Sequence, residues 1–239
     1  MKALPRPSSG YSETVCCAAI SESGEWKRLY PVRYRHAGEA FSRWDIVNFQ
    51  AIASSRDKRV ESCRIVEGSI AKVGETPAKY RRQLIEPLIT SSTDEATALG
   101  RSLTAIRPSS VRFVHRKKSE SQVAAERQAY VRAAAQLDIL DEHVDPFTPT
   151  PYHLAFSFED VAGKHTFQCG DWETHATFWK WSKKYGAQDA LARMKQKFEI
   201  DYSRDGVVFV LGTIAKRPTQ WTLLGIVRLD DGPYQPSLF

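Results

Sequence analysis

The sequence predicts an α+β fold: a strand-rich first third, a mainly helical middle, and a last third in which two hairpins flank two helices. Three observations predict it. Residues 12–53 carry short runs rich in β-branched and aromatic side chains, broken by polar turns. Residues 76–140 carry N-cap signals and alanine-rich stretches. Beyond a proline cluster, residues 152–229 switch between strand-like and helix-like periodicity.

In order, Ser12 to Ile20 reads as a strand, residues 21–25 as a turn and Trp26 to Tyr34 as the returning strand. Trp44 to Ala53 is a third strand, and Val60 to Glu67 returns after a polar turn. Residues 1–75 are thus expected to form a twisted antiparallel sheet or partial barrel. Residues 76–144 form the helical part. Thr76 caps a helix with Pro77 at its first position and Ala78 to Glu86 as its body. Thr93 opens a short helix that Gly100 closes. A basic strand, Ser110 to Lys117, precedes the longest helix, Ser121 to Leu140, whose Val123, Tyr130, Val131 and Leu137 form its apolar stripe.

Residues 145–151 hold three prolines and read as an extended connector. In 152–230, Tyr152 to Phe158 and Lys164 to Cys169 form a hairpin around Gly163. Asp171 caps a helix reaching Lys184, and Ala187 to Phe198 forms another. Gly206 to Thr213 and Trp221 to Leu229 close a ββααββ layer with helices packed on an antiparallel sheet. Residues 231–239 are left as a free tail.

With 239 residues, 42% of them hydrophobic, the chain can bury a substantial core, which argues against disorder. No apolar run approaches the roughly 20 residues of a membrane span, and the first seven residues lack a signal peptide's apolar stretch. A cytoplasmic protein without a membrane partner is expected. The four cysteines form no Cys-x-x-Cys pair and are expected to be reduced and buried. No cofactor-binding motif is present in the sequence, and no cofactor is expected.

The formal net charge of +6 favours a polyanionic partner, DNA more than RNA. Basic residues cluster at Arg112, Arg116, Lys117 and Lys118, and again around Lys183 and Lys184. Arg28 and Arg33 alternate with Trp26, Tyr30 and Tyr34, as in a strand that stacks bases and grips phosphates. These eight basic residues are the nucleic-acid-binding candidates. A separate polar constellation comprises His165, Cys169, Asp171, Glu173 and His175. His165 and Cys169 share a strand face, and Asp171 and His175 share a helix face, so those four are the candidate metal ligands. Asp171, Glu173 and His175 are the nearest approach to a catalytic set. The competing expectation is that Asp171 only caps its helix.

The last five residues, Gln235-Pro236-Ser237-Leu238-Phe239, resemble the peptide by which bacterial polymerases and mismatch-repair proteins bind the DNA sliding clamp, with consensus Gln-Leu-(Ser or Asp)-Leu-Phe. The resemblance implies that Gln235, Ser237, Leu238 and Phe239 contact the clamp, Leu238 and Phe239 as apolar anchors in its pockets. Pro236 departs from the pattern: it lacks one anchor and one backbone donor but stiffens the peptide. Pro5 to Cys16, Trp26 to Val32, Asp171-Trp172-Glu173, Leu211-Gly212-Thr213, Trp221 and Gly225 together resemble a family of uncharacterised bacterial proteins. The combined expectation is a DNA-associated accessory protein on the β sliding clamp, acting in repair, replication-linked defence or mobile-element processes. The alternatives are a metal-dependent nuclease or other nucleic-acid-processing enzyme, and an adaptor that joins the clamp to a larger protein complex with little DNA contact.

Overall fold

A computed structural model describes residues 1–8, 12–33, 41–52, 57–66, 68–135, 146–204, 206–215 and 217–229. The first third folds largely as its pattern predicts. Strands β1 (Arg6–Ser8), β2 (Ser12–Ile20), β3 (Trp26–Arg33), β4 (Asp45–Asn48), β5 (Ala51–Ile52), β6 (Ser62–Ile65) and β7 (Ala71–Glu75) form a five-stranded sheet, β1-β2-β3-β6-β5, and a separate β4-β7 ribbon. The pairing is antiparallel except between β3 and β6, which run parallel. Val15, Cys17, Leu29, Val32 and Ile65 make a small core on one side of that sheet.

Helix α1 (Ala78–Ile85) runs into a 3-10 turn, Glu86–Leu88, and is followed by α2 (Thr93–Ala98), which Ser92 caps by accepting the Glu95 N–H at 3.1 Å. Then come β8 (Leu103–Ile106), β9 (Ser109–Lys117) and α3 (Glu120–Ala134). Ser119 and Gln122 close a reciprocal capping box, so α3 begins one residue before its predicted start. Its predicted end, and Leu137, lie outside the described residues.

The last third contains β10 (Tyr152–Asp160), β11 (Gly163–Gln168), α4 (Trp172–Tyr185), α5 (Ala187–Lys195), a π-helical segment Gln196–Asp201 with a closing turn at Tyr202–Arg204, β12 (Val207–Ile214) and β13 (Arg217–Arg228). The expected layer of two hairpins and two helices is present. Two strands from the middle complete it: β9 pairs with β10, and β8 pairs with β12. The resulting sheets are β11-β10-β9 and β13-β12-β8. They meet edge to edge where Cys169 bridges Leu223, with Gly170 N–H donating to the Leu223 carbonyl at 2.7 Å and the Thr222 hydroxyl to that of Gln168 at 2.9 Å.

Along β8 and Val207–Thr213 of β12, the sheet β13-β12-β8 is covered on both faces. Phe209, Leu211 and Ile106 point into a core shared with Phe156, Phe158, Phe178, Leu191 and Met194. The alternate residues Val208, Val210, Leu103 and Ala105 point into a second core with Trp26, Ile85 and Leu88. At the seam with the N-terminal sheet, the buried Glu61 carboxylate accepts Ser102 N–H at 2.7 Å and the Ser102 hydroxyl at 2.6 Å, while Arg28 donates to the Ser102 carbonyl at 2.9 Å. On the opposite margin, Glu199 accepts the Phe113 N–H at 2.8 Å and so occupies part of the outer edge of β9.

Gly212 stands where these layers come closest. A Cβ there would meet Leu224 Cδ1, Leu103 Cδ2 at 2.9 Å and Arg28 Nη2 at 3.2 Å, whereas one at Gly74 would meet only Ile46, at 3.7 Å. Gly212→Ala is therefore expected to destabilise the protein by about 1–3 kcal/mol through overpacking. Gly74→Ala should stay within roughly 0.5 kcal/mol, typical of a site without such clashes. Urea denaturation of the two variants measures the difference.

Candidate nucleic-acid interface

The expected base-stacking strand does not form. Trp26 and Arg28 are buried at 5% and 3% exposure, while Tyr30 is 42% exposed. The register explains the split: Cys17 pairs with Leu29 and Val15 with Val32, so two residues of β3 oppose one of β2 and the alternation shifts at Tyr30. Arg28 is corrected from a phosphate ligand to a structural residue that binds the Ser102 backbone. The Arg33 side chain, Tyr34 and the terminal peptide with Gln235, Ser237, Leu238 and Phe239 lie outside the described residues.

The proposed metal ligands are not brought together, and among the described residues no group of three or more His, Cys, Asp and Glu side chains is placed to hold a metal ion. His165 and Cys169 do point to the same side, but four residues along a strand separate them by about 13 Å. His165 Nε2 instead lies 2.8 Å from Asp160 Oδ1 at the far end of the hairpin. His175 is buried and uses both ring nitrogens: Nε2 is 3.1 Å from the Cys169 carbonyl, and Nδ1 is 3.2 Å from Thr150 Oγ1. Because a carbonyl only accepts, Nε2 carries the proton, while the Thr150 hydroxyl beside Nδ1 donates to the Tyr152 carbonyl at 3.0 Å. Asp171 caps α4, accepting Thr174 N–H at 3.2 Å and its hydroxyl at 2.7 Å. Arg43 pairs with Glu173 at 2.9 Å and approaches Asp171 at 3.4 Å, holding both acids in ion pairs. The three catalytic candidates thus have structural partners.

The basic residues of β9 part ways by alternation. Arg112 and Arg116 point outward from the sheet β11-β10-β9, opposite Ser157 and His153 in register, while Lys117 pairs with Tyr152, whose ring packs against Phe178 on the helical side. Arg112 is exposed and 3.4 Å from Glu199. Lys118 is only 9% exposed and pairs with Glu126 at 2.6 Å, which withdraws it from a surface role.

Lys183 and Lys184 occupy the last turn of α4, where positive charge suits the helix C-terminus. They join a larger set. Within residues 180–197, Lys180, Lys183, Lys184, Arg193, Lys195 and Lys197 carry six positive charges against the one carboxylate of Asp189. Among the described residues, none of the six forms an ion pair with a carboxylate. Several rest on rings instead: Arg193 lies 4.0 Å and Lys184 5.1 Å from the Tyr185 centroid, and Lys197 5.5 Å from that of Trp181. The buried sides of the same helices, Phe178, Leu191 and Met194, anchor this face to the core. The sequence groups these cations, but the placement of Arg193 against Tyr185 depends on the packing of α4 on α5, which no local pattern specifies.

The family described as "Domain of unknown function (DUF8757)" matches residues 83–239, and that described as "Domain of unknown function (DUF8758)" matches residues 1–90. No curated protein and no solved structure matches the chain.

The site geometry carries a pH signature. Burial pushes the His175 imidazole down to about 4 from its ordinary 6.5. The unfolded chain therefore binds more protons than the folded one between those values, so stability is full above pH 6.5 and falls as pH drops towards 4. The loss is at most about 3 kcal/mol. Urea midpoints measured from pH 7 to pH 4 should show that decline, and the decline should shrink in His175→Phe.

Proposed function

We propose that this chain, which belongs to the DUF8757 family by a match over residues 83–239, is a DNA-associated accessory protein rather than an enzyme built around the Asp171 constellation. The DNA lies on the face of α4 and α5, and the terminal peptide tethers the protein to the β sliding clamp. The observation that carries this reading is the set of six cations on α4, α5 and the π-helical segment that follows, unmatched by acidic partners among the described residues. Phosphates can replace the condensed counterions of DNA with such side chains, and the released ions drive binding. A tether of micromolar strength would add to that by raising the local concentration of DNA at the face to the millimolar range. The reading extends to repair, replication-linked defence or mobile-element processes, all of which act where the clamp is loaded.

Two measurements test it. Affinity for a duplex should fall steeply with salt, and the double variant Lys183→Glu/Lys184→Glu should reduce the slope of log K against log salt by about 2, roughly 0.9 for each lost contact. A salt-independent affinity, or none, removes DNA from the reading. Separately, purified clamp should bind the full chain with a micromolar Kd and lose that binding when residues 235–239 are deleted. Retained binding would show that the tail is not the tether.

A further inference from the structure

At one end of the sheet β11-β10-β9, residues 3–6, α3, the strand ends and His175 of α4 enclose a cavity of about 190 Å³. That is room for about six waters and is well below the roughly 300 Å³ at which pockets for drug-sized ligands begin. A ligand that fills it is therefore one small ring system with, at most, a substituent reaching the mouth.

Its polar groups are of mixed character. His153 lines it, alternating with the buried Tyr152 and Leu154, and its Nε2 is shielded from water and has no hydrogen-bond partner. Burial, and then the charges of Lys118 and Arg116, hold its imidazole below the ordinary value, so at neutral pH it offers one donor and one acceptor. Lys118 and Glu126 pair at 2.6 Å, leaving two ammonium hydrogens and the second carboxylate oxygen. Gln168, exposed on the neighbouring strand, lines the same space with an amide that both donates and accepts. A wall is formed by Tyr130 and Phe147, whose ring centroids are 5.1 Å apart. The exposed Arg6 lines the cavity, and the exposed Arg116 sits opposite the lining residue His153 in register on the neighbouring strand.

We propose that this cavity binds one nucleobase, carried either by a free nucleoside monophosphate or by an unpaired position in a nucleic-acid strand. A base is flat, fits the aromatic wall, and presents alternating donors and acceptors that match an imidazole, an amide and an ammonium–carboxylate pair. Its phosphate would fall at the rim, near Arg6 and Arg116. A simple anion is a poorer match because Glu126 already neutralises Lys118. The proposal does not depend on DNA binding by the cationic face of α4 and α5.

The test is calorimetric titration of the full chain with the four ribonucleoside monophosphates and with ribose 5-phosphate. At least one nucleotide should bind with a Kd below about 1 mM, and ribose 5-phosphate at least about tenfold more weakly. Gln168→Ala and Glu126→Gln should each weaken the nucleotide by about tenfold, the cost of one well-placed hydrogen bond. Lys183→Glu/Lys184→Glu should leave it unchanged. Gln168 is exposed, so its variant keeps the fold if the other does not. A short single strand that competes with the nucleotide identifies a strand as the source of the base, and one that does not compete identifies the free nucleotide. No nucleotide binding, equal binding of ribose 5-phosphate, or binding indifferent to both substitutions would overturn the proposal and leave a hydrated cavity.

Discussion

Seven consecutive residues of β12, Val207 to Thr213, are buried, so the sheet β13-β12-β8 needs an apolar cover on each face. Burial of each large aliphatic or aromatic side chain there contributes about 1.5–3 kcal/mol, and exposing either face would forfeit several such contributions at once. One cover comes from β10, α4 and α5 through Phe156, Phe178, Leu191 and Met194; the other comes from the N-terminal third through Trp26, with Ile85 and Leu88. The N-terminal sheet is therefore a structural requirement of the last third. The polar node at Glu61, Ser102 and Arg28 sets the position of that cover, because a buried carboxylate with its donors removed would be costly.

This arrangement leaves the surfaces of α4 and α5 and the outer side of β9, β10 and β11 available for other work. On the helical surface the cations lie over Tyr185 and Trp181, so the ring faces are covered and positive charge is what a partner meets. On the sheet surface the charges are fewer and the cavity is polar. The two surfaces thus suit different chemistry: phosphate backbone on one, the edge of a heterocycle on the other.

The sequence made the α+β class and most elements legible, since the β-branched and small apolar residues of Ser12–Ile20 and the cap at Asp171 are local signals, although the second short helix is capped by Ser92 and not opened from Thr93. β8 was missed because Leu103–Ile106 is four residues long and buried throughout, so it has no alternation to read. β7, Ala71–Glu75, escaped for the opposite reason, being mostly exposed. The site was less legible. His165 and Cys169 were read as sharing a strand face, but a shared strand face does not imply proximity over four residues. Arg28 was misread because its partner, Ser102, is 74 residues away. The cavity draws on residues 3–6, 118–130, 147–154, 168–175 and 222–224, a set no spacing rule could assemble.

The pairing of Leu103–Ile106 with Val207–Ile214 joins segments about one hundred residues apart, and β12 and β13 are the last strands among the described residues. During synthesis, Trp26, Ile85, Leu88, Leu103 and Ala105 leave the ribosome well before the strands that cover them. At about 5–20 residues per second that interval lasts on the order of 5–20 seconds, far longer than hydrophobic collapse needs. Completion of the fold waits for β12 and β13, and the nascent N-terminal third is a natural client for a holding chaperone.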